Sequence, residues 1–320
     1  MSRCSPAAVR APALAGVLLW VALLLSACAT PPQLSQLEQR WPADVPAHVE
    51  LKQVPFYPQE DYECGPAALA MAATAAGLSV RPEQLVEQAY LPGRKGSLQQ
   101  EMLAAGRRQG LLSYVLAPRL EAVLREVAAG HPVIVFQNLS LPLYPVWHYA
   151  VVVGYDRDEG LLRLHSGRSE RTAMSLATFE RTWARGEHWA MVALSPKRLP
   201  ATAEPDVHAA AVAALERVQP QAALTAYTRG LQAWPAHRAS LLGVGNAAYA
   251  LGQRERAATA YRHAVRSDPD FADAWNNLAQ VLLELGRRRE ASQAVAKAVA
   301  LGGPRLPRYL ELQAVMRPEK

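Results

Sequence analysis

A repeat with a period of 34 residues is the sequence feature that most constrains the fold of this chain. Ala223, Ala257 and Ala291 lie 34 residues apart, and Gly252 and Gly286 keep the same interval. The surrounding segment is rich in alanine and has the apolar spacing of helices, without a strand pattern. Self-similarity at this period is typical of a helical solenoid, in which each unit buries its apolar face against its neighbours.

The residues at the repeating positions resemble the tetratricopeptide signature. In the last repeat the matching residues are Trp275, Leu278, Ala279, Leu282, Gly286, Ala291 and Ala298. The resemblance implies three repeats within 206–305, stacked into a concave surface that takes a protein partner. The first repeat matches least, because Val207, Ala210 and Val218 stand where the signature has Trp, Leu and Gly.

Three asparagines of the repeat segment are candidates for the lining of that groove. They are Asn246, Asn276 and Asn277. The alternative interpretation, which is the simpler one, makes them ordinary solvated polar residues on helix faces.

The N-terminus has the pattern of a targeting signal. Arg3 and Arg10 precede an apolar run over 11–25, which is short for a transmembrane helix and typical of a signal peptide. The following Leu-Ser-Ala-Cys resembles a bacterial lipobox, with cleavage after Ala27 and lipid on Cys28. Alanine rather than aspartate follows Cys28, which implies an outer-membrane lipoprotein facing the periplasm. The alternative is an ordinary signal peptide cut at the same place.

The remaining sequence divides by composition. Prolines indicate a tether before the first mixed helix and strand pattern, and an Ala-Pro-Thr segment separates that pattern from the repeats. The predicted parts are a signal peptide at 1–27, a tether at 28–46, an α+β domain at 47–198, a linker at 199–205, all-α repeats at 206–305 and a C-terminal tail at 306–320.

Cys64 is the candidate nucleophile of the α+β domain. It becomes the only thiol once residues 1–27 are removed and Cys28 is acylated. The sequence predicts a helix from Cys64 to about Ala76, with Pro66 in its first turn and Gly77 at its end. A helix N-terminus stabilises a thiolate and an oxyanion, because its amides are unpaired and carry partial positive charge.

His148 is the candidate partner of this thiol. It begins the β-branched run of a buried strand, and the run over 131–136 predicts a neighbouring strand. Further strands are predicted at 161–164 and 189–194. An imidazole at the mouth of a central strand can face a helix N-terminus and accept the proton of a thiol.

The Cys-Gly-Pro-Ala-x-Leu segment at Cys64 and the His-Tyr-Ala-Val-Val-Val-Gly-Tyr-Asp segment at His148 together resemble the papain-like bacteriocin-processing, or double-glycine, cysteine peptidases. The resemblance implies a papain-like α+β fold, with Cys64 as nucleophile, His148 as general base and acid, and Gln59 as an oxyanion donor. Gln59 lies one residue closer to the cysteine than is usual in the family. The aspartate that orients the histidine is missing, so His165, Ser166 or a backbone carbonyl is expected to hold the ring.

These motifs predict a periplasmic, lipid-anchored cysteine peptidase that acts on a peptide or protein substrate. Two alternatives are a degenerate peptide-binding scaffold, favoured by the missing aspartate, and an acyl transferase that uses the same thiol and imidazole. Lys and Arg number 34 against 28 Asp and Glu, without a long basic block, so we expect no nucleic-acid partner. The sequence shows no cofactor motif and no paired metal-ligand spacing near the cysteine, so neither a cofactor nor a metal is expected.

Overall fold

The computed structural model describes residues 30–59 and 63–316, so the predicted signal peptide and Cys28 lie outside the described residues. Among the helices of these ranges, none combines the length and the apolar character that crossing a bilayer needs. The helices are α1 Pro32–Gln39, α2 Cys64–Ala75, α3 Glu83–Ala89, α4 Gln99–Arg108, α5 Leu120–Ala128, α6 Leu176–Ala184, α7 Pro205–Glu216, α8 Pro220–Ala233, α9 Arg238–Ala250, α10 Arg254–Ser267, α11 Ala272–Glu284, α12 Arg288–Leu301 and α13 Leu306–Val315. The strands are β1 His48–Glu50, β2 Leu112–Val115, β3 Val133–Asn138, β4 Trp147–Asp156, β5 Leu161–Ser166, β6 Ser169–Ser175 and β7 Ala190–Leu194.

The strands form one antiparallel sheet in the order β2-β7-β3-β4-β5-β6, and β1 pairs with the far end of β4. The hairpin of β3 and β4 sets Gln137 opposite His148 and Val133 opposite Val152. The strands predicted around 131–136, 148–153, 161–164 and 189–194 are therefore confirmed. The apolar residues of β3, β4 and β7 pack on both faces of the sheet, so these segments of the sequence are almost continuously apolar.

The side chains of β4 alternate between two buried layers. Tyr149, Val151 and Val153 pack against α2, whose alanine-rich surface lets the helix approach the sheet closely. Ala150 and Val152 point to the other layer, which contains α5 and α6. One face of the sheet therefore packs against α2, the helix that begins at Cys64, and the opposite face packs against α5 and α6.

The prediction of a tether at 28–46 is wrong for most of that range, because the chain there folds onto the sheet domain. Helix α1 packs on the domain, with Leu34 and Leu37 buried. The carboxylate of Glu180 on α6 accepts hydrogen bonds of 2.9 and 2.7 Å from the backbone amides of Gln33 and Leu34. Pro32 starts this helix in its first turn, where proline is tolerated, so the prolines mark a helix start and not an extended linker.

The repeat segment forms three helix pairs, α7 with α8, α9 with α10 and α11 with α12. The predicted C-terminal tail is instead helix α13, which covers the last pair. Tyr309 of this helix is buried and donates a 2.6 Å hydrogen bond to the carboxylate of Asp273 on α11. A terminal helix of this kind closes the apolar face that a last repeat would otherwise leave open.

The first helix pair shares a core with the sheet domain. Val212, Leu215 and Tyr227 belong to the same buried cluster as residues of β2, β3 and β7. The linker is also fixed, because the buried carboxylate of Glu126 accepts hydrogen bonds from the backbone amides of Ala201 and Thr202. The first repeat therefore packs on this domain, whereas Val207 and Val218, two positions at which it departs from the signature, are exposed.

Truncation of Leu215 to alanine tests the shared core. Leu215 is fully buried, and Leu→Ala in such a site costs about 2–5 kcal/mol of unfolding free energy. The exposed Leu310 of α13 offers a matched control, and Leu310→Ala should change it by less than about 0.5 kcal/mol. Urea unfolding measures both variants. Equal effects would contradict a core common to the two parts.

Candidate active site

Cys64 is the first residue of α2, and the motif around it sets how this helix starts. A Cβ on Gly65 would lie 2.6 Å from the Cβ of Ser97, so only glycine allows this approach. Pro66 needs no amide partner in the first turn, and the first intrahelical bond runs from the Ala67 amide to the Glu63 carbonyl at 3.1 Å. The backbone amides of Cys64 and Gly65 therefore have no carbonyl partner within the helix.

His148 is the second residue of β4, and its ring is held by a serine. The Nε2 atom lies 2.9 Å from the hydroxyl oxygen of Ser166, the last residue of β5. A hydroxyl orients an imidazole as a hydrogen-bond partner but adds no negative charge to stabilise its protonated form. Ser166 therefore holds the His148 ring without supplying a charge.

The expectation that His165 holds the catalytic ring is corrected by these contacts. The His165 side chain is fully buried, with Nε2 3.3 Å from the Val54 carbonyl oxygen and Nδ1 accepting the Arg171 amide at 3.2 Å. Its ring packs against Phe56. Because neighbouring residues of a strand point to opposite faces, Ser166 reaches His148 and His165 does not.

Gln59 is held in the site by the turn that follows Ser166. Its backbone amide donates to the Gly167 carbonyl, and its side-chain oxygen accepts from the Gly167 amide, each at 3.1 Å. Gly167 has a positive φ of 59°, which glycine adopts without strain. Since the amide oxygen is occupied, the Nε2 group is directed away from Gly167 and lies 3.5 Å from the Tyr149 carbonyl oxygen.

Cys64, His148 and Gln59 line a single cavity of about 840 Å³. Gly167, the residue directly after Ser166, also lines this cavity. Basic residues and apolar residues both contribute to the rim of this cavity: Arg94, Lys95, Arg168, Leu98, Pro145, Val146 and Trp147. The Trp147 ring stacks on Phe136 with centroids 5.1 Å apart, and Tyr149 is buried beneath them. Trp147 and Tyr149 both line the cavity, Trp147 as a half-exposed and Tyr149 as a buried side chain.

Burial disfavours charge on both members of the pair. It raises the pKa of the Cys64 thiol above its usual value, although backbone hydrogen bonds from Tyr149, Gly65 and Cys64 itself act in the opposite direction. Burial lowers the pKa of His148 to about 4. At neutral pH the proton therefore rests on the sulfur and the imidazole is uncharged.

Two residues of the site lacked a strong sequence signal. Ser97 covers Gly65 and accepts, through its carbonyl, the Tyr149 hydroxyl at 3.2 Å. Ser166 is one of three alternatives for the group that holds His148, and its position at the end of β5 decides between them.

In the ranges that the structure describes, no group of three or more His, Cys, Asp or Glu side chains is placed to bind a metal ion.

Comparison with family models agrees with the division into a sheet domain and a repeat segment. Residues 51–190 match the Peptidase_C39 like family, residues 245–286 match the TPR repeat, and residues 272–301 match the Tetratricopeptide repeat. The chain thus combines a C39-like domain of α+β fold with C-terminal tetratricopeptide repeats, and the predicted family resemblance is confirmed. A search of curated proteins found no match.

Solved structures resemble parts of the chain at low overall similarity. A MamA structure has 16% identity and a TM-score of 0.33, over 35% of this chain and 66% of that one. The Sgt2 TPR domain from Aspergillus fumigatus has 27% identity and a TM-score of 0.32, over 38% and 82%. A C39-like peptidase from Bacillus anthracis has 18% identity and a TM-score of 0.38, over 46% and 97%. The chain spans slightly less than two thirds of the MamA structure.

Replacement of Ser166 by aspartate tests how the ring of His148 is held. A carboxylate at hydrogen-bond distance favours the imidazolium, so Ser166→Asp should raise the pKa of His148 from about 4 by about 1–3 units. Titration of the His148 ring nitrogens by NMR measures the shift. Ser166→Ala is the control and should leave the pKa low. An unchanged pKa in Ser166→Asp would show that Ser166 does not contact the ring.

Proposed function

We propose that this protein is a cysteine peptidase that cleaves peptide bonds in the cavity of Cys64 and His148. The observation that carries the proposal is the convergence of a thiol at a helix N-terminus, an imidazole and a glutamine amide on one cavity. This combination supplies a nucleophile, a proton carrier and an oxyanion donor. The match of residues 51–190 to a peptidase-like family supports it.

The reaction begins with attack of the Cys64 sulfur on the scissile carbonyl carbon. His148 takes the thiol proton on Nδ1, because Nε2 is engaged by Ser166. The carbonyl oxygen becomes an oxyanion, which accepts hydrogen bonds from the Cys64 backbone amide and the Gln59 side chain. The C–N bond then breaks, the proton moves from His148 to the leaving amine, and the acyl group remains on sulfur.

A water molecule completes the cycle. His148 removes a proton from it, the oxygen attacks the thioester carbon, and the carboxylic acid leaves as the proton returns to the sulfur. Because burial keeps both groups neutral at rest, the thiol loses its proton during the attack and not beforehand. The site therefore works by general-base activation of a thiol, in contrast to a preformed ion pair.

The repeats and the N-terminus complete the proposal. The repeat segment recruits a protein partner or substrate through its concave side, where a cavity of about 660 Å³ is lined by Asn246, Asn276 and Asn277. These asparagines bond to one another and to Tyr261, so they form an organised polar surface. The predicted signal peptide and the lipobox at Cys28 support an outer-membrane lipoprotein that faces the periplasm.

A second candidate function is peptide binding without cleavage. It is favoured by Ser166, since a hydroxyl in place of a carboxylate leaves the imidazolium without a stabilising charge. In that case the repeats are the main functional surface. A cellular phenotype that survives Cys64→Ala but is lost on deletion of 206–305 would support binding over catalysis.

Cleavage of a fluorogenic peptide library tests the peptidase proposal. Cys64→Ala should abolish cleavage, and Gln59→Ala should lower kcat/KM by about 10²–10³-fold through loss of an oxyanion donor. Gln99→Ala is the matched control, because Gln99 lines the same cavity but lies outside the proposed machinery. Cleavage by Cys64→Ala at the rate of the unchanged protein would overturn the proposal.

A further inference from the structure

The connection between β3 and β4 projects a set of large apolar side chains into solvent. We name residues 139–147 the apolar hairpin. Leu143 and Tyr144 at its tip are 85% and 78% exposed, and Leu141, Val146 and Trp147 are each at least half exposed. An apolar cluster of this kind on a folded surface marks a site of contact with a partner or a membrane.

The apolar hairpin is held rigidly at its base. The Asn138 side-chain oxygen accepts the amides of Ser140 and Val146 at 3.0 and 2.9 Å. The guanidinium of Arg185, directly after α6, donates to the Ser140 carbonyl at 2.9 Å. The tip residues are therefore presented by a fixed scaffold, and their exposure does not come from a loose strand end.

The N-terminal end of the fold lies at the same end of the sheet as the apolar hairpin. Helix α1 begins at the Glu180 carboxylate, and Glu180 is about 8 Å along α6 from Arg185 at the hairpin base. Gln33 also bonds to Pro118 and Leu120, just beyond the end of β2. The described chain thus begins, at Thr30, on the side of the fold that carries the base of the apolar hairpin, and the apolar run over 11–25 and Cys28 precede it in the sequence.

We infer that the apolar hairpin is a membrane-contact element that inserts its tip into the bilayer surface to which the N-terminal segment attaches. Leucine, tyrosine and tryptophan are the side chains that suit the interface between head groups and acyl chains. Arg94, Lys95 and Arg168 lie on the cavity rim beside the hairpin and complement anionic head groups.

This contact has a consequence for the substrate, which rests on the proposed peptidase function. Val146 and Trp147 belong both to the apolar hairpin and to the cavity wall. Insertion of the tip therefore brings the mouth of the cavity to the membrane surface. The peptide bonds within reach are those of chains that lie close to the bilayer.

Flotation with vesicles of an equimolar mixture of phosphatidylethanolamine and phosphatidylglycerol tests the inference. A fragment of residues 29–320 retains every described residue and lacks both the apolar run and the lipidated cysteine. It should float with the vesicles, and the double variant Leu143→Ser/Tyr144→Ser should reduce the bound fraction about tenfold. The control Val207→Ser/Val218→Ser, at exposed valines of the first repeat, should bind as the unchanged fragment does.

A second measurement keeps the test independent of catalysis and of folding. In a Cys64→Ala fragment, Tyr144→Cys introduces the only thiol, to which an environment-sensitive dye is attached. Its emission should shift to the blue when vesicles are added, while thermal unfolding stays unchanged. The inference is overturned by an unbound fragment, by equal losses in the control, or by hairpin variants that float normally but no longer bind apolar peptides.

Discussion

The turn between β5 and β6 organises the candidate site, because two of its residues hold the two polar side chains that flank the thiol. Ser166 bonds the His148 ring, and Gly167 bonds both the backbone and the side chain of Gln59. The positive φ of Gly167 lets the chain reverse directly after Ser166. A single tight turn thus fixes His148 and Gln59 relative to each other, and the packing of α2 on the sheet brings Cys64 to them.

The same sheet joins the site to the rest of the molecule. The face opposite α2 shares its core with α1, α5, α6 and the first repeat. The linker before the repeats is part of this continuous structure, because the buried Glu126 accepts a hydrogen bond from the Thr202 amide. Helix α1 is part of it as well, because Glu180 accepts a hydrogen bond from the Leu34 amide. A partner on the repeats and a substrate in the cavity would therefore be held by one connected framework. Such a framework aligns a recruited chain with the cleft more closely than a flexible linker would.

Local patterns predicted much of the fold, and contacts between distant residues account for what they missed. The β-branched run at His148 and its apolar partner run predicted β4 and β3, further apolar runs predicted β5 and β7, and the Cys-Gly-Pro motif predicted the start of α2. The sequence predicts a tether where helix α1 forms, because the burial of this helix depends on Glu180 far along the chain. Ser166 could not be selected over His165, because register and side-chain direction at the end of β5 decide it. Helix α13 lies outside the repeat period, so periodicity gave no indication of its packing.

The central claim is that Cys64 and His148 share one proton in a working pair. The rate of Cys64 alkylation by iodoacetamide across pH, in the 29–320 fragment and its His148→Ala variant, tests it most directly. Between the pKa of His148 at about 4 and the raised pKa of Cys64, the pair holds one proton. The account predicts that neutral His148 accepts the thiol proton as the sulfur attacks the reagent, so labelling at neutral pH is faster than in His148→Ala and slows as the pH falls through about 4, where the imidazole becomes protonated. Identical profiles for the two proteins would contradict a functional pair.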